Sequence, residues 1–253
     1  MTYNIHYGVG RDKRYSLDRI IEVIRSQDPD VVALQEVDNQ MHRTNYDHQS
    51  RIIAGALDMY WDYCVVSFRG TAEFGIATLS KFPLGQSRHH DLSFNPRLKL
   101  RFRPRGILRT DVVLGPSVLH IFNLHLGLGI RERIHQSRKL LSGSILLDRT
   151  LNGPVVILGD FNDRPISVVH PRLKYYFNDT FKLSGGRDDA TFYWGLLRLK
   201  LDHIYVCNRL YSVETHVVNT SLSRVASDHL PLLAKVDPKS LKRQPIGHVL
   251  SDL

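Results

Sequence analysis

The chain has 253 residues, 42% of them hydrophobic and 23% charged, enough to bury a sizeable core in one large domain or two small ones. No run approaches the roughly 18 consecutive apolar residues of a membrane span. The first residues, Met1-Thr2-Tyr3-Asn4-Ile5-His6, lack the basic and apolar regions of a secretory signal, so the cytoplasm is the simplest compartment. Two distant cysteines, Cys64 and Cys207, form no metal-type spacing, and a bridge between them is open but unsupported by the sequence. Lys and Arg total 34 against 25 acids, and the resulting +9 charge attracts polyanions, whether nucleic acid or an anionic lipid surface.

In chain order, residues 2–6 predict a strand. Ser16 then caps a helix over 17–27, with Leu17, Ile20, Ile21 and Ile24 on one face. Asp28-Pro29-Asp30 stops it, and 31–35 form a buried strand. A helix follows over 49–57, then strands near 63–67, 75–80, 107–113 and 118–124. A longer helix is expected from 131 to 149, before the Asn152-Gly153-Pro154 break. Further strands fall at 155–158, 191–194, 203–206, 213–217 and 230–236. Strands outnumber helices and do not alternate strictly with them, which predicts an α+β sandwich of two sheets. Without repeats or linkers, residues 1–236 read as a single domain and 237–253 as a loosely attached basic tail.

Arg97, Lys99, Arg101, Arg103 and Arg105 recur at every second position. In an extended chain this puts five cations on one side, either guarding an edge strand or facing phosphates.

The chemistry is narrowed by what is missing. There is no GxxxxGK phosphate loop, GxSxG elbow or HExxH pair, and Gly8-Val9-Gly10 meets Lys13 where a third glycine would stand. What remains is a set of acids, amides and histidines at strand ends. Asn4 lies on the first strand, and Glu36 ends the run from Val31. Asn123 and His125 lie two apart and share a face, as do Asp160 and Asn162 after Val155-Val156-Ile157-Leu158. Asp202 opens a strand, and Asp228-His229 precedes the last one. Each alone suits a turn; six such strand ends together do not. Oxygen donors such as Glu36 and Asp160, with no cysteine near, favour Mg²⁺, with Mn²⁺ or Ca²⁺ as alternatives. Carboxylates, a hard cation and histidines suit hydrolysis of a phosphate ester.

Taken in order, Tyr3-Asn4-Ile5, Leu34-Gln35-Glu36, Asn123-Leu124-His125-Leu126, Gly159-Asp160-Phe161-Asn162, Leu201-Asp202-His203-Ile204 and Ser227-Asp228-His229 resemble the endonuclease/exonuclease/phosphatase (DNase I-like) superfamily, over residues 2–236. The resemblance implies two packed, mostly antiparallel β-sheets flanked by helices, with the site at one edge. It implies that Glu36 binds the metal, with Asn4 near its water shell and Asp228 supporting it. Asp160 would orient or deprotonate the attacking water, and Asn162 would hold that water or a phosphate oxygen. His229, oriented by Asp202, would contact the scissile phosphate or act as base, and His125 would protonate the leaving oxygen. Asn123, Arg103 and Arg105 complete the expected set as substrate-binding residues. His6 stands where abasic-site endonucleases carry an acid; it departs from that subgroup and matches sphingomyelinase-like members, and is read as packing against a neighbour.

The expected activity is a metal-dependent phosphodiesterase of the nuclease type, with a phospholipid or phosphoinositide as the alternative substrate and a silent basic binding module as the rival class. A monomer is expected. No apolar membrane-docking loop stands out, since Phe192-Tyr193-Trp194 reads as a strand.

Overall fold

The computed structural model describes residues 1–94, 103–164, 167–185 and 189–237. The first sheet contains β1 (Thr2–Asn4), β2 (Val31–Asn39), β3 (Tyr60–Arg69) and β4 (Ala72–Ser80). The second begins with β5 (Leu84–Asp91), β6 (Gly106–Leu114), β7 (Ser117–His125), β8 (Val155–Asp160) and β9 (Asn178–Asp179). Beyond these come a separate hairpin, β10 (Phe192–Trp194) and β11 (Leu197–Leu199), then β12 (Asp202–Val206), β13 (Ser212–Val217) and β14 (Leu232–Val236). The two six-stranded sheets run β13-β14-β1-β2-β4-β3 and β5-β6-β7-β8-β12-β9. Among these neighbours only β1–β2 and β7–β8 are parallel. Each parallel pair is joined by a connection containing a helix, α1 (Leu17–Arg25) and α3 (Ile130–Leu140) respectively, as a parallel crossover requires.

Period-2 alternation sorts the side chains into layers. Tyr3, Val32 and Leu34 pack outward against Ile20, Ile21 and Ile24 of α1 and Ile53 of α2 (Gln49–Leu57). Phe122, Leu124 and Ile157 pack outward on the other sheet with Leu140, Ile145 and Leu146. Ala33 and Leu232 meet Ile121, Val156, Leu158 and Ile204 between the sheets. The α+β sandwich of two mostly antiparallel sheets is therefore the observed fold.

Several elements differ from expectation. The helix expected over 131–149 ends at Leu140, because Ser142-Gly143-Ser144 turns the chain and Ile145 N–H bonds back to Ser142 O at 3.2 Å. β1 stops at Asn4, and His6–Gly8 form a short 3-10 turn. β5 is an exposed edge strand, too polar for its sequence to announce it. Both cysteines are free. Of the expected cationic ridge, Arg97, Lys99 and Arg101 lie outside the described residues, as does the tail beyond Asp237. Arg103 and Arg105 do not share a side: Arg103 is exposed and Arg105 is buried. They stand on irregular chain before β6, where alternation does not hold, and Leu92 N–H pins the Arg105 carbonyl at 2.7 Å.

Candidate active site

The two parallel pairs end on the same edge of the sandwich. Asn4 is level with Gln35 at the end of β1, and His125 is level with Asp160 at the end of β7 and β8. Asp202 pairs with Asp160 across β8 and β12. Asn123 and His125 share a parity, Asp160 follows Val156 and Leu158, and Asp202 precedes Ile204 and Val206, so these side chains point between the sheets. Where the apolar filling stops, the same alternation continues with acids and histidines.

Asp160 Oδ2 is the hub. Asn4 Nδ2 donates to it at 3.0 Å, and His125 Nε2 and His229 Nε2 lie at 3.5 and 3.7 Å. Its Oδ1 accepts the Asn162 backbone N–H at 2.8 Å. Burial, reinforced by Asp202 and opposed by His229, pushes the Asp160 carboxyl up to about 7. Asp202 Oδ2 lies 2.8 Å from His229 Nδ1. Burial works against the His229 imidazolium, yet Asp202 and Asp160 outweigh it and push the ring up to about 10. The other Asp202 oxygen, Oδ1, is buried with no hydrogen-bond partner among the described residues.

His125 is held neutral: burial first, then the charges of Arg105 and His229, keep it well below its ordinary range. Arg105 Nη1, always a donor, lies 3.1 Å from His125 Nδ1, and His125 Nε2 lies 3.5 Å from Asp160 Oδ2. Asn162 Nδ2 donates to Leu126 O at 2.9 Å and lies 3.0 Å from His125 Nε2.

Glu36 arrives by a different device. Leu34 and Val37 both pack in the outer core though three residues apart, which a regular strand forbids. A bulge in the β2–β4 pairing between them absorbs the extra residue, and Glu36 stands there at φ 55. Its side chain keeps 20% exposure, and its Oε1 takes a second bond from Asn4 Nδ2 at 3.3 Å. His6, Tyr7 and Asn162 also have positive φ, so left-handed backbone gathers around the site. Asp228 is half-buried, with its Oδ1 3.9 Å from His6 Nδ1.

Asp160, Asp202 and His229 bring three potential ligand atoms within 4.8 Å of one another. His229 Nδ1 is engaged by Asp202, which leaves Nε2 and the carboxylate oxygens as the donors facing inward. Nearer solvent, one Asn4 amide is strung between the Glu36 and Asp160 carboxylates.

Two expected residues are placed otherwise. Asn123, expected to bind substrate, is fully buried: Nδ2 donates to Leu34 O at 3.1 Å and Ala77 O at 2.8 Å, and Oδ1 accepts from Gln35 at 2.8 Å. It is a strut between the sheets, with no group left for a ligand. Arg103 is exposed outside the cluster, whereas Arg105 is drawn into it behind His125. The sequence reading missed Arg43, which forks onto Asp38 at 2.8 Å and lies 3.7 Å over the Tyr7 ring. Lone residues in loops gave it no spacing signal.

A family model described as "Endonuclease/Exonuclease/phosphatase family" matches residues 1–229. Uncharacterized protein YbhP of Escherichia coli K12 is 28% identical over 247 residues, covering 93% of this chain and 94% of that protein. The structure is similar to an endonuclease/exonuclease/phosphatase from Beutenbergia cavernae, with TM-score 0.74 and 21% identity, over 93% of this chain and 70% of that one. It is also similar to mannosyl-6-phosphatase Bt3783 of Bacteroides thetaiotaomicron, with TM-score 0.72 and 18% identity, over 93% and 98% of the two chains.

Proposed function

The chain belongs to the endonuclease/exonuclease/phosphatase family, a family of phosphoesterases, and from that premise we propose that it hydrolyses a phosphodiester by metal-assisted attack of water. The observation that carries this reading is the buried hub at Asp160, where one carboxylate gathers the Asn4 amide, the Asn162 backbone N–H and the rings of His125 and His229. The donor set fits a hard divalent cation, Mg²⁺ first, because carboxylate and amide oxygens meet here with no cysteine, and the Glu36 carboxylate stays open to solvent. Glu36, Asn4 and Asp228 would hold it. When bound, such an ion neutralises phosphoryl charge.

The protein's own groups divide the remaining work. Asp160 accepts a proton from the attacking water, a role suited to a carboxyl pushed up to about 7. Asn162 orients Asp160 through its backbone N–H and brings its side-chain amide to the same place. His229, protonated and braced by Asp202, donates its Nε2–H to a phosphoryl oxygen, so of the two roles open to it, contact with the phosphate is favoured over base. His125, neutral beside Arg105, would hydrogen-bond the leaving oxygen rather than protonate it, because a neutral imidazole that gave up its proton would become an imidazolate.

The test is turnover of bis(4-nitrophenyl) phosphate across Mg²⁺, Mn²⁺ and Ca²⁺. We expect activity that a chelator abolishes and added ion restores; no turnover with any ion defeats the proposal. Two substrate classes share this chemistry. The +9 charge supports nucleic acid, and the surface beside the site supports a phospholipid.

A further inference from the structure

The hairpin β10–β11 borders the site. Its two-residue turn, Gly195-Leu196, has Gly195 at φ 58, a position for which turns ordinarily recruit polar or glycine residues. Trp194, Leu196 and Leu197 nonetheless stand there 75%, 100% and 47% exposed. Folding gains little from side chains left in water, so their apolar character needs another cause. The sequence reading placed a strand here correctly but did not see that its tip is apolar and bare.

Opposed residues of an antiparallel pair share a face. Tyr193 faces Arg198, and Trp194 faces Leu197. The ribbon is therefore cationic on one side and apolar on the other. Its cationic side borders a pocket lined by Arg11, Tyr193, Leu196, Arg198, Asn219 and Arg224. The Arg11 and Arg198 guanidiniums lie 6.0 and 5.8 Å from the Tyr193 ring centre, and Arg224 Nε donates to Asn219 Oδ1 at 2.6 Å. Among the described residues none of these three arginines pairs with an acid. The base of the hairpin is tied to the site: Tyr193 N–H donates to Asp228 O at 3.1 Å, and the Phe192 ring lies 4.9 Å from that of His229. Leu128 and Ile130, just beyond His125, are exposed as well.

A partner must offer anionic oxygens to the arginines and an aliphatic phase to the tip. Nucleic acid supplies phosphates and stacking bases but nothing aliphatic for Leu196 and Leu197. A bilayer supplies both. We propose that the β10–β11 hairpin docks the enzyme on an anionic phospholipid surface, with Trp194, Leu196 and Leu197 entering the interface and Arg11, Arg198 and Arg224 holding a lipid phosphate. The substrate of the adjacent site is then a phospholipid ester; this rests on the hydrolytic reading above.

Flotation with vesicles of phosphatidylcholine, alone or with one third phosphatidylglycerol, tests it. Binding to the anionic vesicles is expected, weakened about 10-fold or more by the pair Trp194→Ala and Leu196→Asp, and similarly by Arg11→Glu with Arg198→Glu. Tyr60→Ser is the control: Tyr60 is exposed and level with Val31, at the far end of β2 from Glu36, and its loss should leave binding unchanged. Thermal melts establish that each variant is folded. Failure to bind anionic vesicles overturns the docking, as does binding indifferent to the hairpin variants, or capture of duplex DNA through the arginines with vesicles ignored. Turnover of bis(4-nitrophenyl) phosphate by the parent protein is read separately, so docking can fail while the hydrolytic reading stands.

Discussion

The two parallel strand pairs reach the same edge with opposite characters. β1–β2 delivers Asn4 and Glu36, and it does so with a bulge, a left-handed Glu36 and a carboxylate still one-fifth exposed. β7–β8 delivers His125 and Asp160, both buried, in regular register. A hydrated cation needs an open carboxylate, while proton transfer is sharpened by burial, since desolvation is what moves a carboxyl toward neutrality. On the function proposed above, the sandwich separates a metal-facing pole at Glu36 on one sheet from a proton-handling pole at Asp160 on the other.

The sharpest way to break this division is at its buried half. Asp160→Ala is expected to lower turnover of bis(4-nitrophenyl) phosphate by about 10³-fold or more at saturating metal, roughly 4 kcal/mol of barrier. Gly159→Ala is expected to cost about 3 kcal/mol of stability, because a Cβ there would sit 2.0 Å from Leu124 O and the backbone is at φ 151. Chemical denaturation would show it, and a neutral result would mean that the β7–β8 register is looser than drawn.

On the open half, Glu36→Gln should raise the metal concentration for half-maximal activity about 10- to 100-fold, roughly 2 kcal/mol, and spare more of the rate at saturation than Asp160→Ala does. Should the two variants exchange phenotypes, the division of labour is wrong.

The smallest effect lies beneath the Asp160 loop. Burial pushes His170 down to about 4 and holds His203 well below its usual range, and their rings lie 4.1 Å apart, tilted by 45°. A neutral buried histidine stabilises the fold above the unfolded value near 6.5 and loses that contribution as pH falls toward 4. For His170 the loss at pH 5 is about 2 kcal/mol, a fall of about 5 °C in melting temperature from pH 7.5. Neither His203 ring nitrogen has a partner among the described residues, so His203→Phe should flatten the pH slope without losing a hydrogen bond.

What the sequence disclosed followed regular backbone. Asn4, His125, Asp160 and Asp202 could be placed because each sits at the end of a hydrophobic strand whose alternation carries them inward. The misplacements came where regularity fails. Asn123 has the same parity as His125 but lies one step deeper, where Gln35 and two carbonyls consume its amide. Arg105 leaves the alternation that seemed to align it with Arg103, and the apolar hairpin tip depends on exposure, which composition cannot report.

The first sheet carries a further consequence, for synthesis. β1 lies between β2 and β14, with Thr2 paired to both Ala33 and Leu232. β1 thus waits for a partner made long after it, a contact of very high sequence separation that folds late. His229 lies just ahead of that partner, so a nascent chain holds an incomplete centre until β14 docks. A ribosome-bound chain stalled before residue 229 should therefore be catalytically inert.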